Sequence, residues 1–258
     1  MKKLLKIGSW VLFVASTFVV LGFAKSRHSK IPCEIPKIII HHDTGFDFVS
    51  SEMVLEQLRN IGYNFQSNQL CEVDLRSIEE KIVKVPGVAK VEAYVFLNGE
   101  LIIDITQRRP IVRIINASGT SFYMDDNGNS MPLSKYCFAK VPVITGYFEE
   151  SVNCSVLQFD SKRKKESLLD EMYSVASCID ENEFWQNQLV QMYINRNLEL
   201  EMIPRVGDQR ILFGEMNNVN DKFKKLEIFY KQGIKAERLN LYDTLSIKYK
   251  DQIVCSKK

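Results

Sequence analysis

The stretch VEAYVFLNGELIIDI, residues 91–105, determines the fold of the first half of the chain. Apolar residues alternate with other side chains on both sides of Asn98-Gly99, which is the period of a strand with one buried face. Asn-Gly between two such runs indicates a hairpin whose two turn residues both accept a positive φ. The sequence therefore predicts two antiparallel strands joined by a tight turn.

One strand and two helices are predicted before this hairpin. Residues 37–42 contain three consecutive isoleucines, which favours a short strand. Ser50 or Ser51 can cap a first helix, and Asp74 can cap a second helix that ends at Pro86-Gly87. The predicted order is β-α-α-β-β, with one face of the sheet against the two helices.

The second half of the chain combines helices with further strands. Apolar residues recur at helical spacing in residues 168–179 and 219–230, which is typical of helices with one face on a core. Alternating runs predict strands around them, and the last predicted strand covers residues 245–254. We expect an α+β fold in which flanking helices cover an antiparallel sheet.

An uncharged run near the start, residues 7–24, predicts a single transmembrane helix. At about 1.5 Å per residue it reaches roughly 27 Å, close to the thickness of a bilayer core. Lysines precede the run and acidic residues do not, so residues 1–6 are expected in the cytoplasm and the bulk of the chain outside it. A cleaved signal peptide is the alternative, because residues 22–24 form a small-x-small cleavage site.

The charge distribution excludes one class of function. Six of the 34 basic residues lie in the first 30 positions, which leaves 28 basic against 32 acidic residues in the exported part. Nucleic-acid binding proteins carry a basic surface, and this part is mildly acidic. We expect no nucleic-acid partner.

The cysteines are scattered and form no C-x-x-C motif, so neither a zinc ribbon nor a thioredoxin-like site is predicted. Export permits disulfides, but the spacing specifies no pairing, and buried single thiols are expected for most of them. The six are Cys33, Cys71, Cys137, Cys154, Cys178 and Cys255.

Catalytic and metal sites find little support in the sequence. His41-His42 would point to opposite faces of a strand and could not easily share an ion, and Asp125-Asp126 is typical of a turn. The basic run 162–165 is expected to be a solvated loop. Phosphate-binding loops and serine or zinc hydrolase motifs are missing. We predict no enzyme activity, no cofactor, no metal and no small-molecule substrate.

Several motifs in a consistent order resemble those of the FtsQ/DivIB cell-division family. They are residues 85–88 and 109–112 around the hairpin, then 122–128, 141–146, 211–214, and Lys222-Phe223 with Leu226. Gln107 stands where the family usually has a glutamate. The resemblance implies a linker at 25–36, a POTRA-like domain at 37–112 and a β domain at 113–258 with a C-terminal edge strand.

The resemblance also implies a function. Members of this family are non-catalytic, single-pass inner-membrane scaffolds of the bacterial division machinery, located at the septum, which bind the small coiled-coil proteins FtsB and FtsL. An exported POTRA-containing module for assembling envelope proteins is the alternative.

A partner-binding site follows from the position of the last strand. A terminal strand often forms a sheet edge, to which a partner can add a strand of its own. Lys248 corresponds to an arginine of the family and could meet a partner carboxylate, although Lys248 and Lys250 could equally keep the edge from pairing. The resemblance favours docking, because Ile247-Lys248-Tyr249 resembles the family segment that leads into the strand that binds FtsB. The site that the resemblance implies is Lys248, Tyr249, Lys250, Asp251, Gln252, Ile253 and Val254.

Overall fold

The chain divides into two units, Met1–Gln107 and Arg108–Lys258. This division lies before the boundary expected after residue 112, because the strand Pro110–Ile115 pairs with strands of the second unit. The computed structural model describes residues 13–17, 19, 35–41, 47–63, 73–96, 98–134, 138–149, 167–233 and 241–258.

Most of the predicted membrane span, residues 7–24, lies outside the described residues. Within it, residues 13–17 and 19 are helical. In the part of the chain that the structure describes, no helix is both long and apolar enough to cross a membrane.

The first unit has the predicted β-α-α-β-β order. Its sheet has the strand order β1-β3-β2, in which β1 runs parallel and β2 antiparallel to the central β3. The elements are β1 (Lys37–His41), α1 (Ser51–Asn60), α2 (Leu75–Ile82), β2 (Val88–Val95) and β3 (Leu101–Gln107).

Side-chain caps fix the starts of both helices, as predicted. Ser50 Oγ accepts a hydrogen bond from Met53 N, and Asp74 Oδ1 accepts one from Ser77 N, each at 3.3 Å. Each such cap stabilises the helix by about 1 kcal/mol. The buried apolar face then comprises Val54, Leu58, Ile78 and Ile82 from the helices with Ile103 and Ile105 from β3.

The hairpin turn differs from the prediction in one respect. Gly99 has a positive φ of +91°, whereas Asn98 does not. Phe96 N donates to Glu100 O and Gly99 N donates to Phe96 O, both at 2.9 Å. The hairpin therefore closes between Phe96 and Glu100, and in loops that close in this way only the glycine needs the left-handed conformation. The expectation of two positive φ angles was wrong.

The second unit is built on a nine-stranded sheet with the strand order β12-β11-β10-β9-β8-β7-β4-β5-β6. Its strands are β4 (Pro110–Ile115), β5 (Ser121–Asp125), β6 (Ser130–Pro132), β7 (Val143–Gly146), β8 (Leu189–Ile194), β9 (Leu200–Pro204), β10 (Arg210–Gly214), β11 (Tyr242–Ser246) and β12 (Val254–Lys257).

This sheet is mixed, which corrects the prediction of an antiparallel sheet. The pairs β4/β7, β7/β8 and β10/β11 are parallel, and the other five neighbouring pairs are antiparallel. Parallel neighbours require a crossover connection, usually through a helix. The helices between β7 and β8 and between β10 and β11 provide two of these crossovers.

The helices of the second unit contribute to one apolar core with the sheet, as their spacing predicted. α3 (Leu168–Asp180) and α5 (Val219–Ile228) flank the short α4 (Glu183–Gln188), and a π-helical turn, Phe229–Gly233, extends α5. The predicted helical faces belong to this core. Its helical members include Met172, Val175, Ala176, Ile179, Trp185, Phe223 and Leu226, and its strand members include Ile144, Met192, Met202, Ile211, Phe213 and Leu245.

Candidate partner-binding surface

Strand β12 lies at one end of the nine-stranded sheet. It pairs with β11 on one side, and no described strand lies on the other side. Three of its residues are exposed, and Cys255 is half-buried. An edge of this kind presents backbone N–H and C=O groups that another chain can pair with.

The opposite end of the sheet differs from β12. There β6 comprises only Ser130–Pro132, its central Met131 is fully buried, and its last residue is a proline. A very short strand containing proline is a poor template for an added strand, since proline donates no backbone hydrogen bond. Of the two ends, β12 is the better site for strand addition.

The predicted last strand, residues 245–254, is interrupted in the structure. β11 ends at Ser246 and β12 begins at Val254, and the two pair with each other as a hairpin. Residues 247–253 form the β11–β12 loop, in which Asp251 has a φ of +59° that a strand cannot accommodate. Of the seven predicted partner-binding residues, only Val254 is in a strand, and the other six lie in this loop.

Lys248 extends from the β11–β12 loop to the hairpin between β8 and β9. Its Nζ lies 2.6 Å from Glu199 Oε2, and this hydrogen bond lowers the pKa of Glu199. The stem of Lys248 passes Gly214 at the end of β10. The cation that the sequence assigned to a partner carboxylate is therefore held by a carboxylate of its own chain.

A basic groove of about 850 Å³ opens between α5 and the β11–β12 loop. Its charged lining contains five lysines but only two acidic residues, Asp221 and Asp251. The groove is thus suited to a segment that carries carboxylates. The lysines are Lys222, Lys224, Lys225, Lys248 and Lys250.

Lys222 is the most buried of these lysines and serves the interior of the unit. Its Nζ donates to Glu215 O at 2.6 Å and to Phe213 O at 3.3 Å, and it lies 4.8 Å from the centre of the Phe213 ring. Burial lowers the pKa of Lys222. Phe213 lies where the pairing of β10 with β9 shifts register, and Glu215 follows the end of β10, so this lysine gives both carbonyl groups a donor where the regular ladder stops.

Comparison with known proteins gives the family. The model described as "FtsQ/DivIB, C-terminal related" matches residues 109–256, which is more than half of the chain. This chain belongs to the FtsQ/DivIB family. The model described as "POTRA-like domain" matches residues 32–106, in agreement with the β-α-α-β-β order of the first unit.

One curated relative carries the same family name. Cell division protein FtsQ from Geotalea daltonii is 25% identical over 184 residues, which is 71% of this chain and 63% of the relative. This FtsQ/DivIB member therefore spans less than two thirds of that relative's length. The C-terminal family match includes the whole β11–β12 loop and all of β12 except Lys257.

Two of the candidates for chemistry, His41 and Asp125, make structural contacts in this FtsQ/DivIB chain. His41 Nε2 lies 2.8 Å from Asp104 Oδ1, while His42 and the basic run 162–165 lie outside the described residues. Asp125 Oδ1 accepts from Asn127 N and Asn129 N, which makes the predicted turn. Among the described residues, no group of three potential ligands could hold a metal ion.

An arginine cluster in the second unit was not predicted from the sequence. Arg108 Nε donates to Asp125 Oδ2 at 2.7 Å, and Arg109 donates with two nitrogens to Asp180, at 2.7 and 2.8 Å. The carboxylate of Asp180, more than that of Asp126, raises the pKa of Arg109. The register of β4 on β5, in which Pro110 faces Asp125, could have indicated the first of these pairs.

Proposed function

We propose that this chain is a non-catalytic scaffold of the bacterial division machinery, anchored in the inner membrane by residues 7–24 and located at the septum. The family membership and the name of the relative, a cell division protein, support this proposal. The anchor is inferred from the uncharged run and its flanking lysines. The partners would be small single-pass coiled-coil proteins of the FtsB and FtsL type.

The observation that carries the proposal is the exposed edge at β12. A partner segment could add a strand beside Val254–Lys257, with main-chain hydrogen bonds supplying affinity. The β11–β12 loop, which lines one side of the basic groove, directly precedes this edge in the chain, and the groove would select a partner with carboxylates. The predicted residues 248–254 would thus supply side chains beside an added strand, and β12 would supply the backbone.

Affinity purification from membranes tests the identity of the partners. The full-length protein, and a variant with Lys248→Glu, are purified from membranes, with Lys231→Glu as a control of equal charge change outside the groove. Small single-pass coiled-coil proteins that accompany the wild type and the control, but are depleted with Lys248→Glu, support the proposal. Recovery of outer-membrane or other envelope proteins instead would favour the envelope-assembly alternative.

Hydrogen exchange then tests the mode of binding. When the purified partner is added, the amides of Val254–Lys257 should exchange more slowly, while those of Ser130 and Met131 at the other end of the sheet should not change. Pairing of an added strand protects main-chain amides, which contacts made only by side chains do not. Unchanged exchange in β12 with a bound partner would exclude strand addition at this edge.

A further inference from the structure

Lys225 connects α5 with the β11–β12 loop. Its Nζ donates to Ile247 O at 3.0 Å and also to Tyr249 O. Ile247 is fully buried, and its own N–H donates to Leu212 O at 3.0 Å. The start of the loop is therefore fixed from two sides. Its Ile247 amide is bound by β10, and its Ile247 and Tyr249 carbonyls are bound by Lys225 of α5.

These two hydrogen bonds lie where the sheet stops supplying partners. The pairing of β11 with β12 ends at Ser246, so the ladder between these two strands does not extend to the carbonyl groups of Ile247 and Tyr249. A carbonyl that loses water without gaining a donor is unfavourable, and hydrogen bonds from an ammonium group are stronger than those between neutral groups. Lys225 thus stabilises a conformation of the loop backbone that strand pairing alone would not determine.

Lys248 lies between the two carbonyls that Lys225 binds. Holding the backbone before and after Lys248 fixes the direction in which its side chain leaves, past Gly214 and toward Glu199. The same contacts fix the segment from which the chain turns back into β12.

We propose that Lys225 is a positioning residue for partner binding, which acts by holding the β11–β12 loop in the conformation that presents Lys248 and β12. This inference rests on the proposed function, since it assigns a role within the same surface. Its effect passes through the backbone of residues 247–249, so it does not require Lys225 to touch the partner.

Three substitutions separate this role from a simple effect of charge. Lys225→Met keeps the apolar stem and removes the donors, Lys225→Arg restores donors and charge, and Lys224→Met removes the same charge from the exposed neighbouring position in the groove. Two readouts are needed, namely hydrogen exchange of residues 242–258 without a partner and recovery of the coiled-coil partners from membranes.

Lys225→Met should accelerate exchange at Ile247 and in β12 by about tenfold or more relative to the amides of β8, because a hydrogen bond to a charged group is lost. Partner recovery should fall with it. Lys225→Arg should restore both readouts, and Lys224→Met should leave loop exchange unchanged. If Lys225 only stabilises the whole unit, Lys225→Met should accelerate exchange in β8 as much as in β12. That result would overturn the inference.

The outcomes distinguish this inference from the proposed function. Unchanged loop exchange in Lys225→Met would overturn the positioning role, whatever the partner does. Faster loop exchange with full partner recovery would also overturn it, provided that Lys248→Glu reduces recovery. If Lys248→Glu has no effect on partner recovery either, the proposed docking site is wrong. Loop exchange in Lys225→Met without a partner would then still show whether Lys225 holds the loop, but its role in partner binding would be overturned.

Discussion

The side chain of Lys248 crosses the backbone at Gly214, where a Cβ atom would lie 2.8 Å from Lys248 Cγ. Gly214 also has a φ of +78°, a conformation that residues with a side chain rarely adopt. The last residue of β10 therefore has to be glycine for two reasons, its backbone conformation and the path that it leaves for Lys248 toward Glu199.

Gly214→Ala should destabilise the protein more than Gly119→Ala. Gly119 has a similar φ of +82°, but a Cβ atom there would meet nothing within 4 Å, so its substitution should cost about 1–2 kcal/mol of unfolding free energy from backbone strain alone. At Gly214 the Lys248 stem must also leave its rotamer, which adds about 1 kcal/mol. Urea denaturation measures both values, and equal losses would mean that Lys248 does not lie over Gly214.

The hairpin turn of the first unit gives a second prediction. Because Gly99 has a positive φ and Asn98 does not, Gly99→Ala should lower the unfolding free energy by about 1–2 kcal/mol, and Asn98→Ala by less. Asn98 still contributes the hydrogen bond from Glu100 N to its side chain, at 3.1 Å. Thermal unfolding of both variants distinguishes this turn from a two-residue turn, in which both substitutions would be costly.

The same hairpin shows how far the sequence specifies the fold. Alternation and Asn-Gly locate both strands, since these signals depend on residues close in sequence. Turn type depends on one backbone angle at Asn98, which alternation does not determine. In the second unit, the apolar positions at Leu245, Ile247 and Val254 suggested one strand, whereas the positive φ of Asp251 breaks it into a hairpin.

The candidate site was only partly predictable for a related reason. Its position near the end of the chain followed from the predicted strand and the family resemblance. The partner of Lys248 did not, because Glu199 lies 49 positions away and meets it only through the order of the strands in the sheet. Parallel neighbours such as β10 and β11 leave no local signal in the sequence, since a helix separates them in the chain.

The arginine cluster gives a third prediction. Arg109 is partly buried and binds Asp180 through two hydrogen bonds, so Arg109→Met should lower the unfolding free energy by about 1–3 kcal/mol. Arg109→Lys keeps the charge but not the two-point geometry, and we expect roughly half of that loss. Chemical denaturation gives both values. A methionine variant as stable as the wild type would show that the pair contributes nothing.

Cys178 gives a fourth prediction, on reactivity. Burial raises the pKa of its thiol from 9.0 to about 11. Below pH 9 the thiolate fraction should be about a hundredfold smaller in the folded protein than in the unfolded chain, and the thiolate is the reactive form. In a variant that retains only this cysteine, alkylation at pH 8 should be slow and should accelerate on adding urea. Equally fast alkylation of the folded protein would contradict this.

The last prediction concerns the ion pair between Lys248 and Glu199, which has two possible roles. If Lys248 serves only to pair with Glu199, exchanging the two charges by Lys248→Glu with Glu199→Lys should restore whatever either single substitution removes. If Lys248 also meets a partner carboxylate, the exchanged protein should fold normally and still fail to bind, because a carboxylate would then face a carboxylate.

We expect the second result. Both side chains are partly exposed, so the exchanged variant should match the wild type in unfolding free energy within about 1 kcal/mol. Its affinity for the purified coiled-coil partner should fall by about tenfold or more, measured by titration calorimetry at low and high salt. The single variant Glu199→Lys leaves Lys248 in place and should retain most of the binding. Recovery of affinity in the exchanged variant would assign Lys248 to the fold and remove it from the docking site.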